Sequence, residues 1–236
     1  MITKNIIICF LIFILFVFFI LLCNNNENFI NVNDFKYYDE SNNVIDHNFH
    51  EIDEQQMAID YISPNDIILE LGARYGTVSV IMAKIVQNNG KLVAVEIDKN
   101  VIDTLKKNRE NNNVNFEICD SIISNRNVNI NYDGYSTYIS QNDNSTINNP
   151  SIISYNEFKK KYPYNFNVLV ADCEGCLEYF LEMMGDDIKN YNKILFEEDQ
   201  PHICNYENIK NKLTNYGFKQ KNVRFNIVNR YYFVRE

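Results

Sequence analysis

Asp172 and Glu174 stand two residues apart in VLVADCEGCLEYFL, where an apolar, strand-like run from Val168 to Ala171 gives way to a helix-like one. A carboxylate at such a strand end is placed to take the proton of an attacking hydroxyl, or to orient that hydroxyl for in-line transfer. Asp172 is the first candidate for that role. Glu174 either shares it, binds acceptor hydroxyls, or is an ordinary acid in a helix's first turn, stabilised by the dipole. Cys173 and Cys176 interleave with the acids as C-x-x-C, which admits a redox pair. Neighbouring carboxylates raise a thiol's pKa and blunt its reactivity, so structural cysteine is the favoured reading. Cys119 and Cys204 are too scattered to add a disulfide framework or a zinc site. Glu197, Glu198, Asp199 and His202 gather in EEDQPHIC, a cluster that could recruit a divalent metal or supply a base, although an acidic loop with a solvated His is the commoner and favoured reading.

A second set of residues concerns a cofactor. LELGARYGTVSV carries Glu70, Gly72 and Gly76 as E-x-G-x-x-x-G at the end of the first strand-like run. Glycines there let the backbone turn sharply and approach a ligand, and the next helix offers free N–H groups at its start. The pattern is not the dinucleotide fingerprint G-x-G-x-x-G: Arg74 stands where its second glycine would be, so a pyrophosphate would meet a side chain. Glu96 ends KLVAVE, where doubly wound folds keep an acid that accepts from ribose hydroxyls. Asp120 ends FEICD, placed to accept from an adenine amino group. Such an acidic edge suits a sulfonium and needs no phosphate cradle, so S-adenosylmethionine is the expected cofactor and methyl transfer the expected reaction. The formal charge of −9 argues against a nucleic-acid partner, because backbone binding needs clustered Lys and Arg.

The elements that hold these residues alternate. DIILELG, KLVAVEID, NVNFEIC, NVLVADC and KILFEED read as buried strands, with helices TVSVIMAKIVQ, NVIDTLKKNREN and CLEYFLEMMG among them. Alternation of this kind implies a mostly parallel sheet with helices on both faces, and ligands outside its carboxyl edge. After the helix ENIKNKLTNYGF the runs KQKNV, FNIV and RYYFVRE have no helix between them, so an antiparallel hairpin closes the sheet. Residues 121–163 carry turn signals at Asp133-Gly134 and read either as a cover for the site or as a surface insertion. The chain's 236 residues, 46% hydrophobic, suffice for one sizeable core.

Ahead of this lies IIICFLIFILFVFFILLC, Ile6 to Cys23, without a charged residue. As a helix it spans about 27 Å, close to the roughly 30 Å hydrocarbon core of a bilayer. It exceeds the ~7–15 residues of a signal-peptide core and no A-x-A-like site follows, so an uncleaved single-pass anchor is favoured over a cleaved signal. Lys4 before it, with Glu27 and Asp34 after it, puts the N-terminus in the cytosol and the domain in a lumen or outside the cell. The expected organisation is an anchor over 1–23, a polar tether over 24–50 and a catalytic domain over 51–236.

These motifs resemble the FkbM-type methyltransferases of the class I S-adenosylmethionine-dependent fold. The resemblance runs from about Ile67 to Arg235 and rests on ILELGARYG, VAVEID and, above all, VLVADCEGCLEYFLEMM followed by KILFEED. Asp172, Glu174 and Gly175 match the family's strand-ending D-x-E-G, and Glu197 matches the acid that ends its next strand. The resemblance implies a Rossmann-like, seven-stranded, mostly parallel sheet with a reversed last strand, S-adenosylmethionine as donor, and a hydroxyl on a glycan or small metabolite as acceptor. Ala73, Arg74 and Tyr75 depart from the family's usual small or polar residue and amide. That departure leaves open a scaffold protein that keeps the fold without productive cofactor binding; a C-x-x-C thiol oxidoreductase is the less favoured third reading.

Overall fold

The computed structural model describes residues 30–46, 51–87, 90–132, 137–140, 151–225 and 228–235. The expected anchor over 6–23 lies outside them, and among the described residues no helix is long and apolar enough to cross a membrane. One compact unit runs from Val32 to Glu236.

Apolar runs and helical periods become elements in the expected alternation. Helix α1 (Ile52–Tyr61) leads into β1 (Ile67–Leu71), α2 (Thr77–Val86), β2 (Lys91–Val95), α3 (Ile102–Asn111) and β3 (Glu117–Cys119). Short strands β4 (Ile122–Ile123), β5 (Asn129–Tyr132), β6 (Thr137–Ser140) and β7 (Ile152–Ile153) follow, then α4 (Tyr155–Lys161). The chain ends with β8 (Val168–Ala171), α5 (Leu177–Met184), β9 (Lys193–Glu197), α6 (Tyr206–Asn215), β10 (Lys219–Phe225) and β11 (Asn229–Val234). Seven strands form one sheet in the order β10-β11-β9-β8-β1-β2-β3. All neighbours are parallel except β11, which runs antiparallel to both β9 and β10. The expected Rossmann-like sheet with a reversed last strand is therefore present, its final hairpin built from two strands.

From β1 the chain first winds toward β3 and later toward β9, so the order reverses between β1 and β8, where open α/β sheets hold ligands. Residues 121–163 supply a parallel pair, β4 with β7, and an antiparallel pair, β5 with β6, around the Asp133-Gly134 signal. The core holds Ile68, Leu69, Val93, Leu169 and Ile194 at 0% exposure, as strands covered on both faces require.

The tether expected over 24–50 is corrected for residues 32–46. Phe35, Tyr37 and Ile45 are buried, and the Tyr37 hydroxyl donates to the Thr77 carbonyl at the start of α2 at 3.0 Å. The cause is legible in α2 itself, TVSVIMAKIV, whose residues from Thr77 through Ala83 are all buried. A helix that is apolar around its circumference needs cover on the side away from the sheet as well. Replacing Tyr37 by Ala in the full chain is expected to cost about 3–5 kcal/mol and to lower the melting temperature by roughly 10 °C; a loose tether would leave the melting temperature unchanged.

Candidate active site

The register ends four strands at one level. Leu71 pairs with Val95 and with Ala171, and Ala171 pairs with Phe196. The next residues, Gly72, Glu96, Asp172 and Glu197, therefore sit side by side at one rim of the sheet. A cavity of about 290 Å³ opens there, and all four line it, together with Glu174. Its wall carries six carboxylates against two guanidinium groups, those of Arg74 and Arg230.

On the cofactor side, Gly72 has φ +87°, and a Cβ added to it would lie 1.7 Å from the Asp172 carbonyl oxygen. Only glycine lets the turn after β1 pass so close beneath the turn after β8. The Glu96 carboxylate accepts from the backbone N–H of Arg74 at 2.6 Å and from those of Ile97 and Asp98 at 2.7 Å each. Burial pushes its pKa up against the pull of these bonds. Ile97, beside it, packs on the buried cluster of Ile122, Val128 and Ile130, so an apolar surface adjoins the acid. The Arg74 guanidinium does not plug the hollow: it lies 4.6 Å from the centre of the Tyr75 ring and donates to its hydroxyl at 3.1 Å.

Three expected cofactor residues lie elsewhere. Glu70 is 3% exposed and accepts from Ser79 Oγ at 2.5 Å; it faces a smaller adjoining hollow of about 30 Å³, not the main cavity. Gly76 precedes α2 with φ +80°, and a Cβ there would meet Leu105 Cδ1 at 2.5 Å, so its requirement is packing against α3. Asp120 is exposed and does not line the cavity; the chain turns past it, and Ile122 and Ile123 of β4 reach the wall instead.

On the opposite side, burial first, then the charges of Glu51, Asp199, Glu54 and Glu174, raise the Asp172 pKa well above the ordinary range. Glu174 sits at φ +52°; its N–H donates to Asp199 at 2.6 Å and its carboxylate accepts from Gln200 Nε2 at 2.6 Å. Cys173 and Cys176 are joined as a disulfide at the cavity wall, bracketing Glu174 and Gly175. Arg230 donates to Glu197 at 2.8 Å and to Glu54, and burial raises the Glu197 pKa, with Glu54 and Asp172 adding to it. EEDQPHIC disperses: Glu198 accepts from the Tyr231 hydroxyl at 2.6 Å, and His202 is exposed. Among the described residues no group of His, Cys, Asp and Glu could hold a metal.

Glu51, Glu54 and Arg230 are additions that the sequence did not single out. Arg230 reaches the rim because β11 inserts antiparallel beside β9 and pairs Arg230 with Glu197, a register no local pattern announces. Glu51 is the N-cap of α1 and Glu54 lies in its first turn, where acids read as ordinary helix-start charges.

Sheet order, switch point and acid-lined rim define a class I methyltransferase fold. The family model of protein-L-isoaspartate(D-aspartate) O-methyltransferase matches residues 25–143, half of the chain. The chain belongs to that family, and S-adenosylmethionine is the methyl donor that goes with the membership. The family model and the FkbM-type resemblance of the motifs agree on fold class and cofactor. Among solved structures, the chain is similar to Aeropyrum pernix fibrillarin with natively bound S-adenosyl-L-methionine, at 14% identity and TM-score 0.47, covering 78% of this chain and 74% of that one. A methyltransferase from Aquifex aeolicus is similar at 10% identity and TM-score 0.47, covering 78% and 90%. A protein of the NADB-Rossmann superfamily from Streptococcus agalactiae is similar at 7% identity and TM-score 0.50, covering 77% and 67%. No curated protein matches by sequence. The residues fit the donor: carboxylates outnumber cations around the cavity, Arg230 is already paired, and Glu96 offers acceptor oxygens beside an apolar surface.

In the folded protein Glu51 holds its proton to about pH 7 and Glu70 to about pH 8, against an ordinary 4.5 in the unfolded chain. The native state thus binds more protons at these two groups, so their contribution to stability is full below pH 4.5 and drains as pH rises through 7 and 8. Melting temperatures of the unliganded protein should fall from pH 5 to pH 8.5, and a flat or rising series would refute this. Gly72→Ala should weaken S-adenosylmethionine binding more than ten-fold by calorimetry, since the Asp172 backbone must move aside.

Proposed function

We propose that this protein transfers a methyl group from S-adenosylmethionine to an oxygen, a hydroxyl on a glycan or small metabolite. The observation that carries this reading is the placement of Asp172, one backbone contact from the Gly72 turn, on a wall it shares with Glu174. S-adenosylmethionine supplies an electrophilic methyl group whose leaving thioether departs neutral, so alignment matters more than acid catalysis. Once the positive charge of the bound donor has driven the Asp172 proton to solvent, the carboxylate accepts the hydroxyl proton, and its raised pKa makes that ionised form a stronger base than a surface aspartate. Glu174, held by Gln200, accepts a second hydroxyl of the acceptor. The D-x-E-G resemblance to FkbM-type enzymes supports the same acceptor class.

Methylation of an isoaspartyl carboxylate is the second reading, favoured by the family match. That match ends at residue 143, before Asp172, Glu174, Glu197 and Arg230. The acidic wall those residues build disfavours a carboxylate acceptor through like-charge repulsion. The apolar run 6–23 supports a single-pass membrane protein. Cys173–Cys176 supports an oxidising compartment, lumenal or extracellular, for the domain.

Labelled donor offered with a panel of glycans, small hydroxylated metabolites and isoaspartyl peptides tests the acceptor. Label in a hydroxyl acceptor supports the proposal; label confined to the peptide carboxyl overturns it. With the productive acceptor, Asp172→Asn should retain donor binding and lower the transfer rate by about 100-fold or more. Equal rates would remove Asp172 from the chemistry.

A further inference from the structure

Arg74 is a non-glycine residue at φ +41°, a backbone conformation that costs energy unless its surroundings hold it. Its N–H donates to Glu96 at 2.6 Å. The hold comes from outside the sheet. Asn108 on α3 is 0% exposed, and its side-chain amide donates to the Tyr75 carbonyl and to the Tyr38 carbonyl, both at 2.9 Å. Its amide oxygen accepts from the Tyr38 N–H at 3.0 Å. The Tyr75 hydroxyl donates to Glu40 at 2.5 Å, and the Tyr37 hydroxyl to the Thr77 carbonyl at 3.0 Å. Segment 37–40 is thereby stitched to Tyr75 and Thr77, the residues that follow Arg74 into α2, with Asn108 as the node.

We propose that segment 37–40, acting through Asn108 and Tyr75, is a positioning element of the cofactor site that keeps the Arg74 N–H on Glu96. Asn108 lines neither of the two hollows described above; it acts by fixing the turn. A buried side-chain amide that satisfies two carbonyls and one N–H is costly to disturb, and its loss loosens a left-handed turn that is also held by the Arg74 N–H on Glu96 and by the Gly76 N–H on the Ala73 carbonyl at 2.7 Å. The Ala73-Arg74-Tyr75 sequence thereby has a physical role: Tyr75 supplies the anchor that the segment grips, and its ring carries the Arg74 guanidinium. The chain ahead of α1 belongs to the catalytic unit, and displacement of that segment would be felt at the ribose acid. The inference rests on the reading of Glu96 as the ribose acceptor.

A double-mutant cycle on the full chain, read as S-adenosylmethionine affinity by calorimetry, tests it. Glu96→Gln should weaken binding at least five-fold. Asn108→Ala should weaken it about ten-fold in the native background and less than two-fold when combined with Glu96→Gln. The double variant Tyr37→Phe/Tyr75→Phe, which removes two hydroxyls and leaves the buried amide intact, should lose about three- to five-fold, again only while Glu96 is present. Losses that are equal in both backgrounds, or absent in the native one, overturn the proposal and leave the methyltransferase reading standing. An unaffected Glu96→Gln variant overturns both the ribose assignment and the proposal. If Asn108→Ala does not fold, the paired tyrosine variant alone decides by the same criterion.

Discussion

Charge crowding governs the site. Six carboxylates meet at one rim of the sheet with two guanidinium groups among them, and burial makes it costly for all of the acids to ionise together. Glu51 is pushed up to about 7, and Asp172, Glu96 and Glu197 also stand above the ordinary range. Such a wall repels phosphates and carboxylates and gains most from a ligand with a fixed positive charge. A sulfonium satisfies that requirement without a proton, and with the methionine ammonium offsetting the methionine carboxylate, S-adenosylmethionine as a whole brings the favoured positive charge.

The backbone makes the crowding possible. β1 and β8 are neighbours in parallel register, so their exit turns leave together, and the missing Cβ of Gly72 lets the Asp172 carbonyl settle against it. The turns after β1 and β8 are thereby held in one contact. The disulfide holds the turn after β8 from its far side across Glu174 and Gly175, both left-handed. Segment 37–40 and Asn108 do the same for the turn after β1. Strain at Arg74 and Glu174 is thus retained where the surrounding structure over-determines it.

The sheet was legible because strands buried on both faces read as continuous apolar runs, and Gly72, Glu96 and Asp172 because each immediately follows such a run. Asp120 fitted the same rule, yet the chain beyond β3 turns so that Ile122 and Ile123 reach the wall and Asp120 points to solvent. Arg230 was hidden because its place depends on the antiparallel insertion of β11 between β9 and β10, a tertiary pairing. Segment 32–46 was misread because its polar composition outweighed three unevenly spaced apolar anchors, Phe35, Tyr37 and Ile45. The apolar excess of α2 was the available sign that something had to cover it.

If a cation-selecting acid wall is what defines this site, donor binding must expel protons from it, because a fixed positive charge lowers the pKa of nearby carboxyl groups. Calorimetric titration of the full chain with S-adenosylmethionine at pH 5.5 and pH 7.5, in buffers of different ionisation enthalpy, measures this directly. Proton release on binding, with tighter binding at the higher pH, is the predicted result. Proton uptake, or no binding by the folded protein, would contradict the account.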